Sequence, residues 1–160
     1  MPRLERILVP VDASAPSRAA LRYAVFLAER FGAKVIALHA WQTPNEVPPE
    51  AGPTTPWGLP EGIGAFGRDR AERLVADLIA PFAGQRVEIE ARIEFGLPGP
   101  TVKKAAAEAW ADLIVVGTHA RKGFARFVSG SVAEEILRLA HCPVLVVHAT
   151  DVAAQEPPRE

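Results

Sequence analysis

DLIVVGTHARKGFARFVSGSVAEEILRLA (112–140) changes character twice. DLIVVG (112–117) is a short apolar run closed by a glycine, the pattern of a strand covered on both faces. VAEEILRLA (132–140) carries its apolar residues at helical spacing. Between them, GTHARKGFARFVSGS (117–131) combines glycines, hydroxyl side chains and the basic residues Arg121, Lys122 and Arg126. A loop that leaves a buried strand at its carboxyl end lies where open α/β sheets bind ligands. Because it ends at a helix start, free N–H groups and the helix dipole favour an anion there. Gly130 permits close backbone approach and Ser131 offers a hydroxyl. Ser131 and Glu134 also form an S-x-x-E capping box, which explains a serine at that place without any ligand. His119 reads as a loop residue or hydrogen-bonding spacer. Singly, each feature has a plain structural explanation; together at a strand end they favour phosphate binding.

Outward from this segment the chain alternates between strand and helix. RILVPV (6–11) and KVIALHA (34–40) are strand-like, and PVLVVH (143–148) is a fifth run after the helix at 132–140. Ser14 can cap a helix with Pro16 in its first turn, Leu21, Ala24, Val25 and Ala28 form its apolar stripe, and Gly32 stops it. Ala71, Leu74, Val75 and Leu78 mark a second helix from about Arg68 to Pro81, and Val102, Ala105, Ala106 and Ala109 a third. RVEIEARIEF (86–95) alternates apolar and mostly charged residues, as a half-exposed edge strand does. The fold expected is α/β: a five-stranded parallel sheet with helices on both faces and right-handed connections.

Strand chemistry sets the order. Runs one and four read as central and run three as an edge, giving 3-2-1-4-5. The last strand is then the other edge, yet it is apolar on both faces, and such an edge invites pairing with another chain. An antiparallel two-fold homodimer through 143–148 is expected. Residues 1–148 form a single domain. The Pro/Gly-rich stretch 43–65 reads as an irregular, flexible insertion, and 149–160 as a disordered tail.

Composition narrows the function. The chain has 160 residues, 49% hydrophobic and 23% charged, with a net charge of -1. That balance fits a globular protein and gives no reason to expect attraction to nucleic acid or anionic membrane. No apolar run approaches the roughly 18 residues needed to span a bilayer, and the start is not a secretory signal, so a cytoplasmic location is expected. A lone cysteine, Cys142, allows no internal disulfide, and no CxxC metal spacing occurs. Gly62-Ile63-Gly64-Ala65-Phe66-Gly67 matches G-x-G-x-x-G, but no strand precedes it, so it reads as a hinge rather than a dinucleotide site.

With these residues in view, the chain resembles the universal stress protein family from about Arg6 to His148. ILVPVDAS (7–14) is similar to the family's first strand and acidic turn, and residues 96–147 to its C-terminal half. The resemblance implies a Rossmann-like fold of the adenine nucleotide alpha hydrolase type, with dimers through the last strand. It implies an adenine nucleotide as ligand (ATP, or ADP or AMP), with Mg as an accompanying ion and no catalytic residues. In family members that bind ATP the motif is G-x2-G-x9-G-[ST]; here it runs Gly117, Ala120, Gly130, Ser131, with one glycine replaced by alanine. By resemblance, Asp12 lies by the adenosine, Pro10, Val11 and Ala40 line the base pocket, and Val116 and Gly117 flank the nucleoside. Gly130, Ser131 and Val132 would meet phosphates, with Arg121 pairing a terminal one. An alanine at 120 costs about 1–2 kcal/mol if the backbone there is left-handed. If instead the phosphate must approach, the methyl group takes ligand space and affinity falls.

Three functions fit these features. The first is a dimeric, cytoplasmic, nucleotide-binding stress-response protein acting through an unknown protein partner. The second is a scaffold of the same family that binds no nucleotide. The third is a slow ATP hydrolase, for which a base beyond His119 is wanting.

Overall fold

The computed structural model describes residues 3–42, 61–118 and 132–149, with the side chains of 61–66 left aside. In chain order the elements are β1 (Arg6–Pro10), α1 (Ala15–Phe31), β2 (Lys34–Trp41), α2 (Glu61–Ile79), a 3-10 turn (Ala80–Phe82), β3 (Ile89–Phe95), α3 (Pro98–Glu108), β4 (Leu113–Thr118), α4 (Val132–Leu139) and β5 (Val144–His148). The five strands form one parallel sheet in the order β3-β2-β1-β4-β5, as the strand chemistry requires.

Successive residues of a strand point to opposite faces, so a strand covered on both sides must be apolar throughout. β1 shows this directly. Ile7 and Val9 join Val35, Ala37, Val115 and Val147 in the core beneath α1 and α2. Leu8 joins Ile36, Leu38, Ile114 and Val116 in a second core beneath α3 and α4. Ile7, Leu8 and Val9 are wholly buried. Removing three carbons there, as in Leu8→Ala, should cost about 2–5 kcal/mol.

Helix α1 is bounded by the residues its sequence supplies. The Ser14 side chain accepts from the Ser17 N–H, Pro16 lies in the first turn, and Gly32 closes the helix with φ 70°. Alanines at 19, 20, 24 and 28 face the sheet, all buried.

β3 is an edge with two unlike faces. Ile89 and Ile93 pack on the first core. On the other face Arg92 pairs with Glu94 and with Glu108 of α3, while Lys104 lies 3.9 Å from Glu94 and 3.7 Å from Glu108. Arg92 and Glu94 therefore meet a helix rather than bare solvent, while Glu90 pairs with Lys34 of β2. β3 begins at Ile89 rather than Arg86, its first rung pairing with Val35.

Residues 61–65 depart from the expected irregular insertion. α2 starts at Glu61, so the last five residues of the expected irregular insertion are helical, as is the whole G-x-G-x-x-G match. In the sequence a proline stands at 60, a helix-start signal that the surrounding glycines obscured. A tertiary contact explains one of those glycines: a Cβ on Gly67 would lie 2.7 Å from the Trp41 ring. Residues 43–60, and 150–160 of the expected tail, lie outside the described residues.

At the far edge, β5 pairs with β4 in register from Ile114↔Val144 to Thr118↔His148. Val147 is buried, whereas Val144, Leu145 and Val146 are each half-buried. Burial raises the Cys142 thiol above its ordinary range, with Asp112 adding to the shift, which suits a packing residue rather than a nucleophile.

Candidate functional site

Parallel strands β1, β2 and β4 all end on the same side of the sheet, and there the chain turns away into α1, beyond β2, and beyond β4. Between the strand ends lies a cleft. Its walls include Pro10, Val11 and Asp12 after β1, Leu38, His39 and Ala40 of β2, and Val116 and Gly117 of β4. Ser14 and Ser17 of the α1 start, Pro98 and Val102 of α3, and Val132 of α4 complete it. This is the crevice outside the carboxyl ends, where the strand order reverses direction about β1 and β4.

Seven of the residues singled out from sequence thus meet in one place: Pro10, Val11, Asp12, Ala40, Val116, Gly117 and Val132. The other four, Ala120, Arg121, Gly130 and Ser131, lie outside the described residues, as do His119, Lys122 and Arg126.

Asp12 sits in a turn built by short-range hydrogen bonds. The Ser14 N–H donates to its Oδ1 at 2.8 Å, and its own N–H donates to the Ser17 Oγ at 2.8 Å. The Ser17 N–H in turn donates to the Ser14 Oγ at 3.3 Å. Asp12 is therefore both an Asx-turn residue and an exposed carboxylate at the cleft. Its remaining oxygen has no partner among the described residues and can accept from a hydroxyl.

Gly117 has a reason of its own. A Cβ there would lie 2.1 Å from the Pro16 carbonyl oxygen and 2.9 Å from the Ser17 nitrogen. The end of β4 runs against the first turn of α1 so closely that only glycine fits. The first glycine of the motif is thus demanded by packing whether or not a ligand is present.

Two polar residues of the cleft, His39 and Ser17, lie outside the sequence motifs. His39 Nδ1 lies 2.7 Å from the Val11 carbonyl oxygen. Since a carbonyl only accepts, Nδ1 carries the proton. The signal for Ser17 was present: it is a polar residue on the buried stripe of α1, 6% exposed. For His39 it was a lone polar residue ending the apolar run KVIAL (34–38). No cluster of metal-ligating side chains occurs among the described residues.

Comparison with known proteins agrees with this architecture. The model of the universal stress protein family matches residues 3–148. A universal stress protein of Methanocaldococcus jannaschii is 32% identical over 143 residues, 89% of this chain and 81% of that protein. Among solved structures, a universal stress protein family member from Burkholderia pseudomallei superposes with TM-score 0.66 at 27% identity, over 90% of this chain and 96% of that one. A universal stress protein in complex with cAMP superposes with TM-score 0.64 at 25% identity, over 91% and 97% of the two chains. The chain belongs to the universal stress protein family.

Proposed function

We propose that this chain binds an adenine nucleotide (ATP, ADP or AMP) in the cleft between β1 and β4. The observation that carries this reading is the convergence of Asp12 with the apolar residues Val11, Leu38, Ala40 and Val116 in one crevice. Apolar walls suit a purine, and an open carboxylate oxygen suits the hydroxyls of a ribose. The cAMP complex of the similar protein lends support. The phosphates would fall to the loop after β4, where Gly130, Ser131 and Arg121 supply N–H groups, a hydroxyl and a cation. Any Mg would be held through those phosphates.

In this reading the protein is a homodimer through β5 and works in the cytoplasm, where nucleotide occupancy alters a surface seen by a protein partner during stress. Turnover is no part of the task; slow ATP hydrolysis, if measured, is incidental. The test is calorimetric titration with ATP, ADP and AMP, together with thermal melts. Binding heat and a raised melting temperature are expected; neither with any nucleotide would end the reading.

A second reading, a family scaffold without nucleotide, is favoured by Ala120 alone. Ala120→Gly separates the two. Tighter ATP binding, by about tenfold if roughly 1.4 kcal/mol of loop strain or crowding is relieved, marks a weakened site; no change marks another use of the cleft.

A further inference from the structure

We propose that His39 is a positioning residue for this cleft, acting on Asp12 through the peptide unit that joins Val11 to it. The Val11 carbonyl and the Asp12 N–H belong to the same planar group. The carbonyl accepts from His39 Nδ1 at 2.7 Å, and the N–H donates to the Ser17 Oγ at 2.8 Å. One peptide is therefore held at both polar ends by side chains from two different elements, β2 and α1. Upstream, the Val11 N–H donates to the Leu38 carbonyl at 2.8 Å, which ties the same residue to β2. Downstream, the Ser14 N–H holds the Asp12 carboxylate. With the plane fixed and one carboxylate oxygen engaged, the direction of the other oxygen into the cleft is set before any ligand arrives.

Backbone sheet pairing does not require this arrangement. At the rim of an open cleft, water can satisfy a carbonyl beyond the last rung of the ladder. A ring from the neighbouring strand instead fixes its orientation. His39 also lines the cleft, so the group that sets the peptide is beside the space it shapes. Preorganised acceptors bind better because their ordering is complete beforehand.

The proposal rests on the nucleotide-binding reading for one of its two readouts only. Two variants separate donor from bulk: His39→Phe keeps the ring and loses the N–H, while His39→Asn keeps a donor near the Nδ1 position. In the ligand-free protein, exchange of the Asp12 amide measured by NMR should quicken about tenfold in His39→Phe and return towards wild type in His39→Asn, with the Leu8 amide unchanged in both. AMP affinity should fall about tenfold in His39→Phe and recover in His39→Asn. An unchanged Asp12 amide in His39→Phe overturns the proposal, as does unchanged affinity where wild type binds AMP. Equal losses in both variants also overturn it, since they would mean that shape rather than the donor matters. Should wild type bind no nucleotide, the proposed function fails, and amide exchange still decides the role of His39.

Discussion

Gly117 answers to packing, whereas Asp12, under the proposed function, answers to the ligand. Gly117→Ala sets a methyl group against the backbone of Pro16 and Ser17, which cannot swing aside as a side-chain tip can. It should destabilise the ligand-free protein by about 1–3 kcal/mol or more, read from the denaturant midpoint, and any loss of nucleotide affinity would follow from that shift. Asp12→Ala acts in the opposite way. The turn loses one exposed hydrogen bond from the Ser14 N–H, while the cleft loses its carboxylate. Nucleotide affinity should drop tenfold or more, as expected of about 1.5–3 kcal/mol for a hydrogen bond to a charged group, with a small change in melting temperature. If AMP binds Asp12→Ala as well as wild type, the carboxylate does not face the nucleoside. The motif glycine and the acidic turn were both visible in the residues. That Gly117 is compelled by α1 was not, since Pro16 and Gly117 are far apart in the chain and only folding brings them together.

At the scale of elements, the ion network between β3 and α3 makes stability depend on pH. Hydrogen bonding from Arg92 holds the Glu108 carboxyl below its ordinary value of 4.5. A carboxylate with a lowered folded value contributes stability above its unfolded value and loses it as pH falls through the folded one. Melting temperature should therefore decline below about pH 4.5, and Glu108→Gln should flatten that decline. Lys34 behaves in the reverse sense: hydrogen bonds from it to Glu88 and Glu90 raise it above 10.5, so its contribution is complete below that value and lost at higher pH. Both pairs are solvent-facing, so the slopes should be shallow and diminish with added salt. A steep salt-independent acid transition would point to other groups. The start of α1 offers a cleaner helix test: Ser14→Ala removes the cap and should cost about 1 kcal/mol by chemical denaturation. Caps and alternation are local patterns, which is why α1 and β3 could be read in advance. The early start of α2 was harder to read, because glycine-rich sequence is poor helix by propensity, and the close approach of Trp41 that calls for glycine at 67 is a tertiary contact.

For the whole molecule, assembly turns on β5. Its half-buried Val144, Leu145 and Val146 stand at the sheet edge, where an apolar strand favours pairing with a second one. Under the dimer reading, wild type should sediment as a dimer at micromolar concentration. Val144→Lys, at the first residue of the strand, should shift it to monomer while a cooperative melt is retained. Sedimentation as a monomer in wild type would remove β5 pairing from the proposal.

Sheet order, the cores on its two faces and the position of the cleft were all legible in the order of apolar runs, because a doubly covered parallel strand has few other ways to bury both faces. The order and polarity of the runs specify five strands, with β1 and β4 central and the alternating β3 at an edge. Tertiary structure alone decided what surrounds Asp12. His39 and Ser17 come from separate elements, and their hold on the Val11–Asp12 peptide depends on distances near 2.8 Å that no periodicity encodes. Periodicity reports which face a residue takes; only the packed arrangement of β1, β2 and α1 specifies which polar atom meets which.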